Sequence, residues 1–311
     1  MKKIILTTLI IIGLFLITAC SGNQSNEYNI HQGKEGLIID FLPNAPPKEV
    51  YENNQFSLGF NAHNAGTADI DKAKIVLSTQ RSLFENFEDL YYARLDGRSL
   101  ENPYGDTEIK VIDIQTKTIF ASEMQKTEFK LSYCYPYTTS FSTDICIDPD
   151  ILGEKTNKPE ECPEQKRSFR NGQGAPVAVI SMDTKMLPTK TGVIPTFKFE
   201  IENLGTGTVI AKDSYETACS STGLKPAKVG LLDVSKIYLG YDQLTCTHNQ
   251  LKIEQRQDGD EYVEVETTEM ICEGTEISYS KEAYLGSITL TIDYGYKDET
   301  NTNLFIIKKQ I

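Results

Sequence analysis

Six cysteines have the chemistry that is easiest to anticipate in this chain. The sequence contains seven cysteines, and Cys20 stands apart from the rest at the end of an apolar N-terminal run. None of the other six occurs as Cys-x-x-Cys, so neither a zinc site nor a thioredoxin-like redox centre is expected. An even number of cysteines in an exported chain indicates disulfide bonds. The six are Cys134, Cys146, Cys162, Cys219, Cys246 and Cys272.

The common catalytic motifs are missing from the sequence. It lacks Gly-x-Ser-x-Gly, His-Glu-x-x-His, Gly-x-x-x-x-Gly-Lys-Ser/Thr and Gly-x-Gly-x-x-Gly. Its three histidines, His31, His63 and His248, lie in or beside polar turn segments, which favours surface positions over a catalytic or metal-binding role. We therefore predict that the protein is not an enzyme and uses no cofactor. A hydrolase whose site is assembled from scattered loops is the catalytic alternative.

Three aspartates near the middle of the chain are a weak calcium candidate. Asp144, Asp148 and Asp150 are close in sequence, and Ca²⁺ binds six to eight oxygen atoms that flexible loops often supply. The full Asp-x-Asp-x-Asp-Gly pattern is missing, so the ligand set would be incomplete. A later acidic pattern, Asp258-Gly259, instead predicts the turn of a hairpin between two short strands.

Tyrosine side chains could in principle stack on sugar rings. The sequence has 16 tyrosines and no tryptophan. Most of these tyrosines occupy the apolar positions of segments in which apolar and polar residues alternate, so they are expected to be core residues. Tyr91, Tyr92 and Tyr104 are the exposed candidates. So small a set weakens the interpretation as a carbohydrate-binding module.

The N-terminus has the pattern of an export signal. Two lysines precede an apolar run over residues 4–17, and Ile17-Thr18-Ala19-Cys20 follows. This motif resembles the lipobox of bacterial-type lipoproteins. The resemblance implies a signal peptide over residues 1–19 and a lipid on Cys20, which would anchor the protein to the outer side of a membrane. An ordinary signal peptide and a permanent membrane span are the alternatives, although the run is short for a span.

The net charge excludes several kinds of partner. The chain has 31 Lys and Arg against 44 Asp and Glu, a net charge of −13. Loss of residues 1–19 would remove two lysines and no acid, leaving −15. Nucleic-acid binding requires a basic surface, and anionic lipid head groups attract basic segments. We expect neither, and predict a membrane contact through the lipid together with a protein or glycan partner at the cell surface.

Alternation with a period of two predicts an all-β protein. Apolar residues alternate over 56–62 and over 197–202, as in half-buried strands. Both segments run into the pattern Asn-x-Gly-Thr, first at Asn64–Thr67 and again at Asn203–Thr206. Asn and Gly tolerate left-handed backbone, so each pattern predicts a sharp strand exit.

A second repeated pattern suggests that the chain contains two copies of one plan. In each half, a segment in which tyrosines and other apolar residues alternate with polar ones runs into a polar turn, first around Ser140 and again over residues 297–303. This repeat predicts a hairpin at the end of each half. We therefore predict two immunoglobulin-like antiparallel β-sandwich domains in tandem after an N-terminal signal or anchor helix. Residues 83–104 are expected to form a short helix or an irregular loop. The predicted segments are a signal over 1–19, a flexible tether over 20–35, a first domain over 36–150, a linker over 151–171 and a second domain over 172–311.

Several longer motifs resemble a group of uncharacterised, mostly archaeal, lipoprotein-like cell-surface proteins. The individual domains also resemble the CARDB type of immunoglobulin-like adhesion repeat. The resemblance implies a β-sandwich fold with adhesion or scaffolding roles, and no enzymatic activity. The motifs are Asp96-Gly97-Arg98-Ser99, Asn102-Pro103-Tyr104-Gly105, Cys134-Tyr135-Pro136-Tyr137-Thr138-Thr139, Cys146-Ile147-Asp148-Pro149 and Gly172-Gln173-Gly174-Ala175-Pro176-Val177-Ala178-Val179.

The predicted hairpin around Ser140 leads to a disulfide map. It would place Cys134 directly opposite Cys146, on the less apolar side of the hairpin. Two further cysteines flank the Asp258-Gly259 turn, and the remaining two would join the linker to the second domain. A Cys146–Cys162 bridge is the main alternative. The predicted pairs are Cys134–Cys146, Cys246–Cys272 and Cys162–Cys219.

These features favour a passive surface module. We expect an adhesion, spacer or envelope-scaffold protein with no chemistry of its own. The alternative is a solute- or glycan-binding lipoprotein. A pocket with convergent polar groups would favour the alternative, and a flat, exposed apolar patch would favour the first role.

Overall fold

The protein is built predominantly from antiparallel β-strands, as the sequence predicts. The computed structural model describes residues 29–120, 123–150, 162, 166–220, 223–258 and 261–309. The predicted signal segment, Cys20 and the first part of the tether lie outside the described residues. The all-β expectation is confirmed.

Nineteen strands are described. They are β1 (Leu37–Phe41), β2 (Glu49–Tyr51), β3 (Gln55–Asn64), β4 (Ile70–Ser78), β5 (Leu90–Leu95), β6 (Thr107–Gln115), β7 (Met124–Ile147), β8 (Lys166–Ser168), β9 (Val177–Pro188), β10 (Gly192–Asn203), β11 (Thr208–Ile210), β12 (Leu231–Leu239), β13 (Asp242–Gln243), β14 (Thr245–Cys246), β15 (Gln250–Lys252), β16 (Glu254–Asp258), β17 (Glu261–Glu273), β18 (Ile277–Ser278) and β19 (Tyr284–Ile307). The described helical segments are α1 (Tyr215–Ala218) and the 3₁₀ turns Arg81–Leu83, Lys212–Ser214 and Pro226–Lys228.

Two very long strands form the centre of the molecule. Strands β7 and β19 contain 24 residues each. They pair antiparallel along their whole length, from Met124 opposite Ile307 to Ile147 opposite Tyr284. At about 3.3 Å per residue, this central ladder is roughly 80 Å long.

The two tyrosine-rich hairpins predicted from the sequence are wrong. Both predicted turns, around Ser140 and over residues 297–303, lie inside β7 and β19. Neither segment contains a glycine, which tight hairpin turns favour. The β-branched Thr138 and Thr139 instead suit an extended strand. Because the alternation continues through both segments, one long strand satisfies the pattern as well as two short strands.

The central ladder joins strands from both halves of the chain in one sheet. That nine-stranded sheet has the order β13-β12-β19-β7-β4-β5, with β2, β11 and β15 paired beside this path. Strands β4, β5 and β7 belong to the first half (36–150), and β12, β13 and β19 belong to the second half (172–311). The domain boundaries stay a prediction, although this one sheet contains strands from both predicted domains.

One face of the central ladder packs against both smaller sheets. These are the three-stranded sheet β1-β3-β6 and the seven-stranded sheet with the path β14-β17-β10-β9-β8. The ring of Phe129 in β7 packs on Phe56 in β3 at 6.0 Å, and Phe141 in β7 packs on Phe199 in β10 at 6.4 Å. Phe129 and Phe141 lie on the same side of β7 because an even number of positions separates them. The buried residues of both halves accordingly form one continuous core.

The two Asn-x-Gly-Thr segments make equivalent contacts with the central ladder. The Tyr137 hydroxyl donates a hydrogen bond to Asn64 Oδ1 at 3.4 Å. The Tyr296 hydroxyl donates to Asn203 Oδ1 at 3.2 Å and accepts a hydrogen bond from Gly207 N at 2.8 Å. The repeated pattern in the sequence therefore corresponds to a repeated contact in the structure.

A second pair of tyrosines repeats this symmetry. The Tyr135 hydroxyl accepts a hydrogen bond from Leu37 N at 3.0 Å, and the Tyr294 hydroxyl accepts one from Val177 N at 3.3 Å. Leu37 and Val177 are the first residues of β1 and β9. In the ladder, each of these tyrosines pairs with the asparagine-binding tyrosine of the other half. The two halves are thus related by an approximate two-fold axis through the centre of the ladder.

The glycine of each Asn-x-Gly-Thr segment makes room for a tyrosine hydroxyl. A Cβ atom on Gly66 would lie 1.8 Å from Tyr137 Oη, and one on Gly205 would lie 2.2 Å from Tyr296 Oη. Neither glycine is among the described residues with positive φ. Strands β3 and β10 end at Asn64 and Asn203 as predicted, but without the left-handed backbone. The close approach of the hydroxyl is what requires glycine here.

Burial keeps these central hydroxyls protonated. It raises the pKa of Tyr135 and Tyr294 well above the usual value, and it shifts the pKa of Tyr137 in the same direction. An unfolded chain would ionise these groups above pH ~10. Their contribution to stability is therefore fully present below that pH and is lost as the pH rises toward the folded-state pKa values.

Three local expectations have different outcomes. Residues 83–104 contain the unpredicted strand β5 (Leu90–Leu95), while residues 85–89 and 96–104 on either side of it form the irregular structure that the sequence predicts. The end of the predicted linker forms β8, which pairs with β9. The Asp258-Gly259 hairpin is confirmed by the antiparallel pairing of β16 with β17, in which Asp258 lies opposite Glu261.

Two of the three predicted disulfides are wrong because β7 is a single strand. Cys134 and Cys146 are twelve positions apart on β7, or roughly 40 Å at ~3.3 Å per residue, and a bridge requires Cα atoms within about 7 Å. Cys134 instead bonds to Cys219, and Cys146 bonds to Cys162, so the predicted Cys162–Cys219 pair is also wrong. The predicted bridge between β14 and β17 is present, joining Cys246 to Cys272.

The Cys134–Cys219 bridge fastens a second-half segment onto the ladder. Asn64 of the first half corresponds to Asn203 of the second half, 139 positions later, whereas Tyr137 corresponds to Tyr296, 159 positions later. The second half therefore has 20 more residues between its asparagine and its tyrosine. The inserted segment lies between β11 and β12 and contains α1. Its Ala218 and Cys219 pack with Cys134 and Ile210 in a small buried cluster on the outer face of the sheet.

Loss of one ladder hydroxyl is expected to destabilise the protein measurably. Tyr296 is 3% exposed, so Tyr296→Phe should leave Gly207 N and the Asn203 amide without this partner. A buried group left unsatisfied costs about 1–3 kcal/mol. The free energy of unfolding from urea titration should fall by about that amount. Tyr241→Phe, which removes a hydroxyl from a fully exposed side chain, is the control, and equal effects of the two changes would contradict the role of the hydroxyl.

Peptide mapping without reduction should recover the observed disulfides. We expect a Cys134 peptide linked to a Cys219 peptide, and a Cys146 peptide linked to a Cys162 peptide. Replacement of both Cys134 and Cys219 by alanine should lower the free energy of unfolding by roughly 2–5 kcal/mol, since the bridge restricts the unfolded chain. A recovered Cys134–Cys146 linkage would show that β7 is not one continuous strand.

Candidate functional site

A groove of about 860 Å³ opens beside the middle of β7. One side is formed by β7 and β19 of the central ladder, and the other by residues 168–173 together with residues 29–32. This volume lies within the range of about 300–1,000 Å³ that is typical of ligand pockets. We call it the ladder groove.

Four hydroxyl side chains form a regular array on the ladder side of the groove. Ser140 lies opposite Thr291, and Ser142 lies opposite Thr289, in the β7–β19 pairing. The residues between them on each strand, such as Phe141, are buried. Because side chains alternate along a strand, the four hydroxyls share the outer face of the sheet.

The opposite wall is held against β9 by a buried glutamine. Gln173 Oε1 accepts a hydrogen bond from Val179 N at 2.8 Å, and Gln173 Nε2 donates to Val179 O at 3.1 Å. Both ends of the amide are thereby used inside the protein. Gln173 positions the wall, and Phe169 of the same segment packs edge-on against Phe141 on the inner side of β7, with ring centroids 4.8 Å apart.

Residues 29–33 complete the wall, although the sequence assigns them to a flexible tether. Gly33 N donates to Asn171 O at 2.8 Å, and Gly174 N donates to Gly33 O at 2.7 Å. The Arg98 guanidinium donates a hydrogen bond to Gln32 O. The Asp96–Ser99 and Gly172–Val179 motifs therefore meet at this wall, so their residues build local structure.

The described lining residues of the ladder groove include no carboxylate. Asn29 and Asn171 contribute amides, and Arg170 and His31 contribute the basic groups. Arg170 also attracts the nearby Glu202 carboxylate, which opposes the rise in the pKa of Glu202 that burial causes. The lining thus provides many hydrogen-bonding groups and little net charge.

A smaller pocket of about 300 Å³ lies between β5 and β6. Its floor includes Phe60 and Tyr91, whose ring centroids are 5.7 Å apart, and Lys110 Nζ lies 5.2 Å from the centre of the Tyr91 ring. Burial, reinforced by Glu88 and Asp89, raises the pKa of Tyr91 to about 12. Tyr91 is only 7% exposed and donates a hydrogen bond to Glu88 O, so it is a packed residue and not an exposed stacking platform.

The other two candidate tyrosines are exposed, as predicted. Tyr92 is 50% exposed and Tyr104 is 77% exposed. The ring of Tyr92 carries Lys72 Nζ 4.7 Å above it, and the Tyr104 carbonyl oxygen lies 2.7 Å from His63 Nε2. Tyr92 lines the smaller pocket beside Tyr91, and neither Tyr92 nor Tyr104 is among the described lining residues of the ladder groove.

The predicted calcium residues do not form a ligand cluster. Asp148 is 5% exposed, and its Oδ1 accepts a hydrogen bond from Asp150 N at 2.9 Å in a local turn. Asp144 is exposed on β7, and its carbonyl accepts a hydrogen bond from Arg167. Across the part of the chain that the structure describes, no three His, Cys, Asp or Glu side chains are grouped to hold a metal ion.

Sequence reasoning missed the ladder groove for two reasons. The segment around Ser140 was expected to be a turn, and residues 29–35 were expected to be a free tether. Of the three histidines, only His31 lines the groove, while His248 is exposed near β14. The sequence does contain a pattern that could have indicated the groove. Small hydroxyl residues, Ser140, Ser142 and Thr289, alternate with apolar residues in the two tyrosine-rich segments.

Comparison with known proteins adds no family assignment. No protein-family model matches the chain, and no curated protein matches it. The lipoprotein and CARDB-like resemblances therefore stay predictions. Within the described ranges, no helix is both long enough and apolar enough to cross a membrane.

Loss of the Arg98 guanidinium is expected to loosen the wall of the ladder groove. Arg98→Ala removes a charged donor from Gln32 O, and such hydrogen bonds contribute about 1.5–3 kcal/mol. Hydrogen exchange measured by mass spectrometry should therefore be roughly ten-fold faster for peptides that contain Gly33 and Gly174. Arg94→Ala, at a position with a 75% exposed side chain, is the matched control. Unchanged exchange in Arg98→Ala would show that the wall does not depend on this contact.

Proposed function

We propose that the protein is a lipid-anchored surface protein whose two immunoglobulin-like halves act together as a stiff spacer or scaffold. In this role it would hold an adhesive or envelope-assembly partner at a fixed distance from the membrane. The observation that carries the proposal is the central ladder, which runs uninterrupted through both halves. A ladder roughly 80 Å long resists bending far better than two domains on a flexible linker.

The disulfide bonds support the location outside the cytoplasm. Three bridges join six cysteines, and such a framework indicates an oxidising, extracytoplasmic environment. Two of the bridges also stiffen the molecule, because Cys134–Cys219 fixes the inserted segment to β7 and Cys146–Cys162 joins Cys162 to the end of β7. A passive mechanical role needs this kind of reinforcement more than it needs a reactive site.

The repeated contacts support the immunoglobulin-like description of each half. In both halves a smaller sheet faces the shared sheet, and an Asn-x-Gly-Thr turn is bound by a ladder tyrosine. This arrangement fits two sandwiches that have fused along one sheet.

A solute- or glycan-binding role is the second candidate. The ladder groove favours it, because a concave site with convergent polar groups is typical of small-ligand binding. The two roles are compatible, since a stiff surface protein can also present a ligand.

The anchor can be tested directly at Cys20. Mass spectrometry of the protein from its own envelope should find Cys20 as the first residue, carrying a lipid. Two or more acyl chains would hold it stably on the membrane. Cys20→Ser should abolish the lipid mass and release the protein from the membrane fraction, whereas Ser21→Ala should change neither property.

The scaffold role requires a partner that depends on this anchoring. Crosslinking on intact cells should recover the wild-type protein in a discrete larger assembly that the Cys20→Ser variant does not form. An unmodified N-terminus beyond Cys20 would end the anchor proposal. Recovery of only the uncrosslinked protein from wild-type cells would contradict the scaffold role.

A further inference from the structure

We propose that the ladder groove is a binding site for a short, neutral oligosaccharide. The inference goes beyond the scaffold role, because it assigns a ligand class to a specific surface, and it does not depend on the lipid anchor. It rests on the shape of the groove, the hydrogen-bonding character of its lining and its charge.

The hydrogen-bonding groups match a polyhydroxylated ligand. A serine or threonine hydroxyl both donates and accepts, and an asparagine amide offers two donors and an acceptor. Sugar hydroxyls have the same dual character. Ser140, Ser142, Thr289 and Thr291 offer four such hydroxyls on two adjacent strands, and Asn171 also lines the groove. Adjacent strands lie ~4.8 Å apart, so this spacing is fixed by the ladder.

The groove also provides an apolar contact. Phe169 is half-buried and lines the groove, and its ring is held by the edge-on packing against Phe141. Sugar rings have apolar C–H faces that pack on aromatic surfaces. An amphipathic ligand with hydroxyls on its edges and an apolar face therefore fits this lining better than a purely apolar ligand.

The charge of the lining argues against ionic ligands. A cationic ligand or a metal ion would need carboxylates, and none of the described lining residues supplies one. An anionic ligand would rely on Arg170, whose charge is partly balanced by the neighbouring Glu202. With no carboxylate in the described lining and the Arg170 charge partly offset by Glu202, a neutral ligand fits the lining best.

An added peptide strand is the main competing occupant. Peptides that extend a sheet pair with the backbone of its edge strand. Near the groove, part of that edge is already used, because the Asp144 carbonyl accepts a hydrogen bond from Arg167. This favours a ligand recognised by side chains over one recognised by the β7 backbone.

The test uses the full-length protein in detergent and a panel of neutral trisaccharides. Maltotriose, cellotriose, mannotriose and triacetylchitotriose are titrated by calorimetry, with trigalacturonate as the anionic comparison. We expect at least one neutral trisaccharide to bind at millimolar concentration or below. Ser142→Ala should weaken that binding roughly five-fold, as for the loss of about 1 kcal/mol of hydrogen bonding.

A matched variant separates the site from a general effect. Ser78→Ala removes an exposed serine hydroxyl from β4 in the same sheet, away from the groove, and should leave binding unchanged. Thr289→Val provides an independent second change in the groove, with folding checked by circular dichroism. Equal weakening by Ser78→Ala and Ser142→Ala would overturn the site.

The remaining outcomes decide the ligand class. No binding by any neutral trisaccharide at millimolar concentration would overturn the proposal. Preferential binding of trigalacturonate that is lost in Arg170→Ala would replace the neutral class by an acidic one and overturn it as well. Binding of an extended Ser/Thr-rich peptide in place of the trisaccharides would assign the groove to strand addition. None of these results bears on lipidation at Cys20, so the two proposals can fail separately.

Discussion

The antiparallel pairing of β7 with β19 is the interaction on which the rest of the structure depends. Its centre carries four buried tyrosines, Tyr135, Tyr137, Tyr294 and Tyr296, and each hydroxyl reaches the backbone or the asparagine of a flanking segment. A buried hydroxyl without a partner would cost free energy. The segments that flank the centre are therefore held to a single position, and both halves are built outward from the same axis.

One inserted segment departs from the approximate two-fold symmetry of the two halves. Only the second half carries the extra segment between β11 and β12. It covers the outer face of the sheet around Cys134 and is fixed there by the bridge to Cys219. Exposed ion pairs such as Lys72–Glu216 add little to this attachment. The disulfide and the small apolar cluster are what hold the inserted segment against β7.

Period-two alternation was enough to predict the class of fold and the positions of most strands, because burial of one face imposes that pattern. It could not show that residues 124–147 form one strand, since a polar stretch such as Thr138–Ser140 suits a turn or an extended strand equally well. That single ambiguity led to the wrong partner for Cys134. The same ambiguity hid the ladder groove, whose hydroxyls lie within the segment that was taken for a turn.

A stiff ladder also explains why its outer face can carry a recognition site. Strand β4 pairs with β7 only over residues 130–134, so β7 continues beyond it without that neighbour. The inner face must pair every polar group that it buries, as Thr139 does with Val177 O, whereas the outer face needs only side chains that tolerate water. Small hydroxyl residues there leave the space that bulkier side chains would fill. Side chains on paired strands are also placed more accurately than side chains on loops, so the continuity that makes the molecule rigid also fixes the spacing of the groups in the groove.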